Sequence, residues 1–286
     1  GDVLGRELEE QFVGRLTEVI EWFARGIPPV AAWIAALLLI GNTFVFISNL
    51  VRYRGFAAER DDCQLSVRGG VLTRRSYRID TREVNFLEIR QSLLTRAAGL
   101  STVFISCAGF GKQRSDMTVL IPAATKKELS PVMAELTPEF TPTERQIHAV
   151  GIQRYLLPPL LICLGIVAVT YLVYRIFPSW FSLILWVGGM GMLPALWYLL
   201  LSIADFRSAG VARTQEAYTI RYGRGYYLKT IIIPMDRVTS VTLRQNILQR
   251  PDDVCDLLFE VRGEGWRRHC VKNLRRAEAV AILGDA

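Results

Sequence analysis

Uninterrupted apolar stretches divide this chain before any other pattern does. Residues 30–51, 155–174 and 180–204 contain no Asp, Glu, Lys, Arg or His. At about 1.5 Å per residue, each stretch is long enough as a helix to cross a bilayer core of roughly 30 Å. The pattern predicts one transmembrane helix within 28–53 and a transmembrane helical hairpin over 155–204. Residues 175–179 are too few to do more than reverse the chain between the two limbs. Both outer ends of the hairpin then share one side with residues 52–154 and with everything after Ala204. Arg52, Arg54, Arg60, Arg145, Arg154, Arg207 and Arg213 flank that side, against Arg175 at the tip. The positive-inside rule makes that side cytoplasmic. Residues 1–27 fall on the opposite side. There Leu8, Phe12, Leu16, Val19, Ile20 and Phe23 form one stripe with Glu7, Glu10, Glu18, Glu21 and Arg25 away from it, the pattern of an amphipathic helix in an extracytoplasmic loop, read first as packing on its own membrane domain and alternatively as lying on lipid.

The two polar regions, 54–140 and 205–286, read as one unit written twice. Gly69 falls on Gly223 after a shift of 154 positions, and the same shift carries Ile79 onto Ile233, Val84 onto Val238, Arg90-Gln91 onto Arg244-Gln245, Leu94 onto Leu248 and Arg96 onto Arg250. After a deletion of four residues, Glu128 meets Glu278. Short alternating runs predict strands at 64–68, 72–79, 84–89, 102–108 and 117–121 in the first unit, closed by a helix over 125–136. Strands at 217–222, 226–233, 238–243, 256–261 and 266–271 and a helix over 275–283 repeat the order. A sheet followed by a single closing helix is an α+β unit, and residues 141–154 are left as a juxtamembrane linker.

Composition narrows the chemistry. The chain is 51% apolar, with 34 basic and 27 acidic residues and a net charge of +7, so neither a disordered nor a collagen-like chain fits. Five cysteines without a CxxC pair and only two histidines give no ligand set for zinc and no disulfide framework. Spans without ionisable residues disfavour a proton or ion pump. No basic segment followed by a short apolar core opens the sequence, so no signal peptide is read. His148 and His269 have no Ser or Cys partner in a recognised arrangement and are read as noncatalytic. Cys107 and Cys270 align with Val261 and Leu120 and are expected in apolar core slots. Gly165, Gly188, Gly189 and Gly191 are read as helix-packing positions. Asn42 and Thr43 are read as bonding to a neighbouring helix, and Gly109-Phe110-Gly111-Lys112 as a hairpin tip rather than a phosphate loop.

Arg68-Gly69-Gly70-Val71-Leu72-Thr73-Arg74-Arg75, Ile89 to Leu100 with its Arg90-Gln91-Ser92-Leu93-Leu94-Thr95-Arg96 core, Ile232 to Val238, and Leu243-Arg244-Gln245-Asn246-Ile247-Leu248-Gln249-Arg250 carry a family likeness. With the order of span and soluble unit, the chain from Pro28 onward resembles bacterial pleckstrin-homology (PH) domain membrane proteins of the YdbS/YdbT type. The resemblance implies membrane α-helical spans plus two α+β PH-like domains, each a bent antiparallel β-sheet or barrel capped by a C-terminal helix. It also implies the bacterial cytoplasmic (inner) membrane, and a further span upstream of Gly1. The second copy departs from the first at one corner, where Pro251-Asp252-Asp253-Val254 replaces Ala97-Ala98-Gly99-Leu100. A surface role there is expected to differ between the copies.

A PH-like scaffold supplies no activity by itself. Arg74, Arg75 and Arg78 form the densest basic cluster, placed where the resemblance implies a lipid-phosphate surface. The pairs Arg90-Gln91 and Arg244-Gln245 are read first as donors to carbonyls freed at a strand end, and alternatively as an anion-binding fork. Together with Arg96 and Arg250 these residues are the candidate interaction or anionic-lipid surface. The expected function is a noncatalytic integral membrane protein with tandem cytoplasmic PH-like interaction or assembly modules. The alternative is a component or regulator of a transport or export system. The expected partners are the lipid bilayer and a membrane or cytoplasmic protein, or further copies of the chain, with no nucleic acid, metal or cofactor.

Overall fold

The computed structural model of the chain describes residues 33, 36, 37, 39–45, 47, 48, 55–69, 75–107, 117–261 and 267–284. In chain order, the first set of elements is β1 (Ala57–Asp61), β2 (Gln64–Gly69), β3 (Arg75–Asp80), β4 (Val84–Ser92), α1 (Leu93–Ala97), β5 (Leu100–Cys107), β6 (Met117–Thr125) and α2 (Lys126–Leu136). Then come β7 (Ile147–His148), α3 (Ile152–Ile176) and α4 (Phe181–Ser208). The second set is β8 (Gly210–Arg213), β9 (Ala217–Arg224), β10 (Tyr227–Pro234), β11 (Val238–Arg244), β12 (Val254–Val261), β13 (Arg267–Arg275) and α5 (Arg276–Gly284). The repeat is kept in three dimensions. β5 and β12 correspond residue for residue, as do the 3₁₀ turns Thr81–Glu83 and Met235–Arg237. The four-residue deletion falls between β12 and β13.

The chain forms two compact units, one of residues 1–50 with 163–194 and the other of residues 51–162 with 195–286. In the first, the described residues between 33 and 48 are helical. Thr43 donates its hydroxyl to Leu39 O at 2.8 Å, bonding within its own helix rather than across to a neighbour. Of the four glycines read as packing positions, Gly188 alone is closely opposed: a Cβ there would lie 2.6 Å from Thr170 Oγ1, whereas Gly165 and Gly189 face open space and Gly191 makes only ordinary contact. Residues 1–27, most of 28–53 and the tip at 109–112 lie outside the described residues. α3, and α4 with the turn Pro178–Trp180 before it, are the helices among the described residues long and apolar enough to cross a membrane.

Among the described residues the second unit contains three sheets. β1-β2-β3 and β11-β12-β13 are three-stranded, and between them runs a seven-stranded sheet in the order β6-β5-β4-β10-β9-β8-β7. This middle sheet spans both copies of the repeat, because β4 of the first pairs antiparallel with β10 of the second from Leu87↔Ile232 to Ser92↔Tyr227. Its two faces serve two cores. Leu87, Ile89 and Ile232 pack with Leu65, Val67 and Ile79 of the first small sheet and with Met133 and Leu136 of α2. Phe86, Ile231 and Ile233 pack with Leu257, Phe259 and Val271 of the last sheet and with Ala279 of α5. Strands apolar on both faces are what a sheet buried between layers requires. Each closing helix covers its own domain, and α2 starts at a reciprocal capping box between Thr125 and Glu128.

Three strands lie outside those expected: β1, β7 and β8. Ile147 of β7 is buried in the second core, so the linker expected over 141–154 is partly sheet edge. A single hydrophobic residue, Ile147, in a strand of only two residues gave β7 no periodicity to detect. Cys107 occupies its apolar slot, and burial pushes its thiol up to about 12. Cys270 does not follow Leu120 into the core. It is only half-buried, on the strand face away from Val271 and Leu274.

Candidate interaction site

Strand pairing places charge as well as apolar surface at the joint between the two copies. Glu88 and Arg90, two apart on β4, project to the same face, and Lys229 lies opposite Arg90 on β10. Lys229 Nζ reaches Glu88 Oε1 at 2.7 Å, and Arg90 Nε donates to the same oxygen. Glu88 is 2% exposed. The Arg90 guanidinium also lies 4.3 Å from the ring centroid of Phe104, the residue paired with Glu88 on β5, a cation–π arrangement. Burial alone would push the Glu88 carboxyl up. The hydrogen bond from Arg90 and the charge of Lys229 outweigh it and hold the group below the ordinary carboxylate range. Lys229 is lowered in turn, chiefly by burial, which its pairing with Glu88 only partly offsets.

Deeper in the same face, Phe86 meets the His269 ring edge-on with centroids 5.0 Å apart. His269 Nδ1 and the Tyr222 hydroxyl form a hydrogen bond of 2.8 Å. The tyrosine hydroxyl is pushed up by burial. His269 is therefore a buried packing and hydrogen-bonding residue between the two copies. His148 is exposed on β7. Among the described residues no group of three metal-ligating side chains comes together.

The candidate surface residues that the structure describes sit on different elements. Arg74 lies outside the described residues, and Arg75 and Arg78 belong to β3 of the first small sheet, with Arg78 exposed. Arg90 is committed to the buried joint. Gln91 donates to Ser101 Oγ at 2.8 Å and to Leu100 O at 3.3 Å. Gln245 donates to Val254 O at 3.1 Å, and Val254 is the repeat counterpart of Leu100. The capping of a strand-end carbonyl thus falls to the glutamine in both copies. Arg244 is exposed on β11 and forms no ion pair among the described residues. Arg96 on α1 and Arg250 in the matching 3₁₀ segment are both exposed.

One feature of these corners escaped the reading of sequence. Leu94 is 69% exposed and its counterpart Leu248 is 83% exposed. Both stand on the surface, each two residues from an exposed arginine. The corners differ in what holds them. Gly99, at φ +70, becomes Asp253 at φ 48, an αL position that Asp tolerates. Asp252 pairs with Arg154 at the start of α3, and the same guanidinium donates to Leu248 O at 2.8 Å. The second corner is clamped to a helix, and the first carries no such clamp among the described residues.

Comparison with known proteins agrees with this geometry. The family model for the bacterial PH domain matches residues 13–139 and again 156–284. A curated relative, the UPF0699 transmembrane protein YdbT of Bacillus subtilis (strain 168), is 28% identical over 131 residues, covering 43% of this chain and 27% of that protein. The chain thus matches about a quarter of that relative's length. No solved structure matches.

Proposed function

The chain belongs to the bacterial PH domain family, and from that premise we propose that it is a noncatalytic integral membrane protein whose two PH-like domains act together as a protein-interaction and assembly module. In this reading α3 and α4 cross the inner membrane as a hairpin, with Arg145, Arg154, Arg207 and Arg213 on the cytoplasmic side and Arg175 at the opposite tip. The domains then face the cytoplasm. The observation that carries the proposal is the repeated exposure of Leu94 and Leu248 beside Arg96 and Arg250. Apolar anchors rimmed by arginine suit protein docking. Leu94 and Arg96 are the docking residues, since the equivalent corner of the second domain is held by Arg154. A relative that carries the word transmembrane in its name supports the setting.

The test is site-specific photocrosslinking from position 94 in intact membranes, with position 248 and an exposed position on β1 as comparisons. A discrete protein adduct from position 94 is expected, and Leu94→Glu should abolish partner co-purification while moving the unfolding midpoint by less than about 2 °C, as for a surface change. Adducts identical to those from β1, or a partner retained by Leu94→Glu, would sink the reading.

A further inference from the structure

A cavity of about 290 Å³ opens where the first turns of α3 and the last turns of α4 meet the β9–β10 hairpin and β13. Three basic side chains line it: Arg154, Arg224 and Lys272. Arg224 and Lys272 are exposed at its mouth and form no ion pair among the described residues. Arg154 is fixed at the rim by Asp252 and the Leu248 carbonyl. The one carboxylate in the lining, Asp205, turns toward the backbone and accepts the Gly223 N–H. Gly223 has no side chain for a reason: a Cβ there would lie 2.7 Å from Asp205 Cγ. Asp205 therefore serves to seat α4 on β9, and the remaining charged lining is cationic, beside the neutral polar Ser202 and Asn273.

The other walls are amphipathic. Tyr155, Tyr198 and Tyr227 contribute aromatic surface, while Pro158 and Leu201 contribute apolar surface from the helices. Tyr155 is held in place by donating to Lys272 O at 2.9 Å. Tyrosines grouped with Arg and Lys at the ends of long apolar helices are the composition of a membrane–water interface. The volume suits a small polar group rather than a whole lipid, near the lower edge of small-molecule pockets.

We propose that this cavity binds a phosphate-bearing headgroup, that of an anionic phospholipid, with Arg224 and Lys272 as charge-assisted donors to the phosphate and its acyl chains lying along Pro158 and Leu201. This rests on α3 and α4 crossing the membrane, and it is independent of protein docking at Leu94. The site lies on the second domain, away from the basic strand β3 that sequence alone singled out.

The experiment uses the full chain purified in neutral detergent. Native mass spectrometry follows titration with dioleoylphosphatidylglycerol, with dioleoylphosphatidylcholine and, separately, with inorganic phosphate. The variant R224Q/K272Q is compared with K126Q/K127Q, which removes the same charge at two exposed positions of α2, and circular dichroism checks that each is folded. The wild type and K126Q/K127Q should retain one phosphatidylglycerol in preference to phosphatidylcholine. Loss of two basic contacts should weaken that binding by about thirtyfold in R224Q/K272Q. Binding by R224Q/K272Q within threefold of wild type, or equal weakening in both variants, overturns the site. Inorganic phosphate bound as tightly as the lipid, with the same variant dependence, assigns the cavity to a soluble phosphate compound and overturns the lipid. Alkaline carbonate extraction of the chain from membranes would instead overturn the spans, a result separable from either.

Discussion

β4 and β11 hold the same place in the two copies of the repeat and have opposite fates. β4 is buried from Val84 to Ile89 and pairs on both sides, with β5 and β10. Among the described strands β11 pairs with β12 alone, and it shows no buried residue along its length. Their outward positions explain why. Phe86, Glu88 and Arg90 of β4 become Ser240, Thr242 and Arg244 on β11. The first trio supplies a ring for a second core and a carboxylate for Lys229, whereas the second offers hydroxyls and an exposed charge. β3 and β10 differ in the same way, since Arg78 stands where β10 has Ile232. A repeated domain thus becomes half of a joint through the residues that face across it, and the edge whose matching residues are polar resists further pairing.

The comparison breaks most sharply at Glu88. Glu88→Ala leaves Arg90 and Lys229 without their shared carboxylate in a buried setting, and should cost about 3–5 kcal/mol of stability. Thr242→Ala, at the matching position on the free edge, should stay within about 0.5 kcal/mol. Equilibrium denaturation of the full chain in detergent measures both, and equal effects would erase the distinction drawn between the strands.

A smaller effect follows from acidity. Glu88 titrates below its ordinary value of 4.5 in the folded protein, so it binds its proton more readily when unfolded. Its contribution is present above that ordinary value and is lost as pH falls through the lower folded value. Stability of the wild type should therefore drop on acidification below about pH 4.5 more steeply than that of Glu88→Gln, which lacks the group. Parallel acid limbs for the two proteins in a denaturation series would contradict the assigned role. The lowered value of Lys229 acts at the alkaline end and leaves this limb unaffected.

Much of this architecture was legible in the chain itself. A shift of 154 positions aligned the two domains because the strands, the 3₁₀ turns and the glutamine caps all depend on local chemistry. The joint was not legible in the same way, since a strand's own alternation says which face is apolar and not which neighbour covers its edge. Two signals pointed to it. Ile231-Ile232-Ile233 is a continuous apolar run, the mark of a strand covered on both faces. Glu88 and Arg90, two apart, share one face of a strand that is otherwise apolar. Arg90 looked like surface because charge usually is surface, and only the register with Lys229 makes it interior. At the corners the repeat aligned Leu94 with Leu248, but alignment carries no information about exposure, and only the structure places both on the surface.

The central claim is that the two PH-like domains form one body through β4 and β10. Hydrogen exchange of backbone amides in the full chain tests it most directly, comparing β4 and β10 with β11. The account predicts that amides of residues 87–92 and 227–232 exchange within about tenfold of the slowest core amides, with the unpaired amides of β11 far faster. Exchange of β4 as fast as β11, with β5 and β9 still protected, would show that the strands part independently and that the domains are separate.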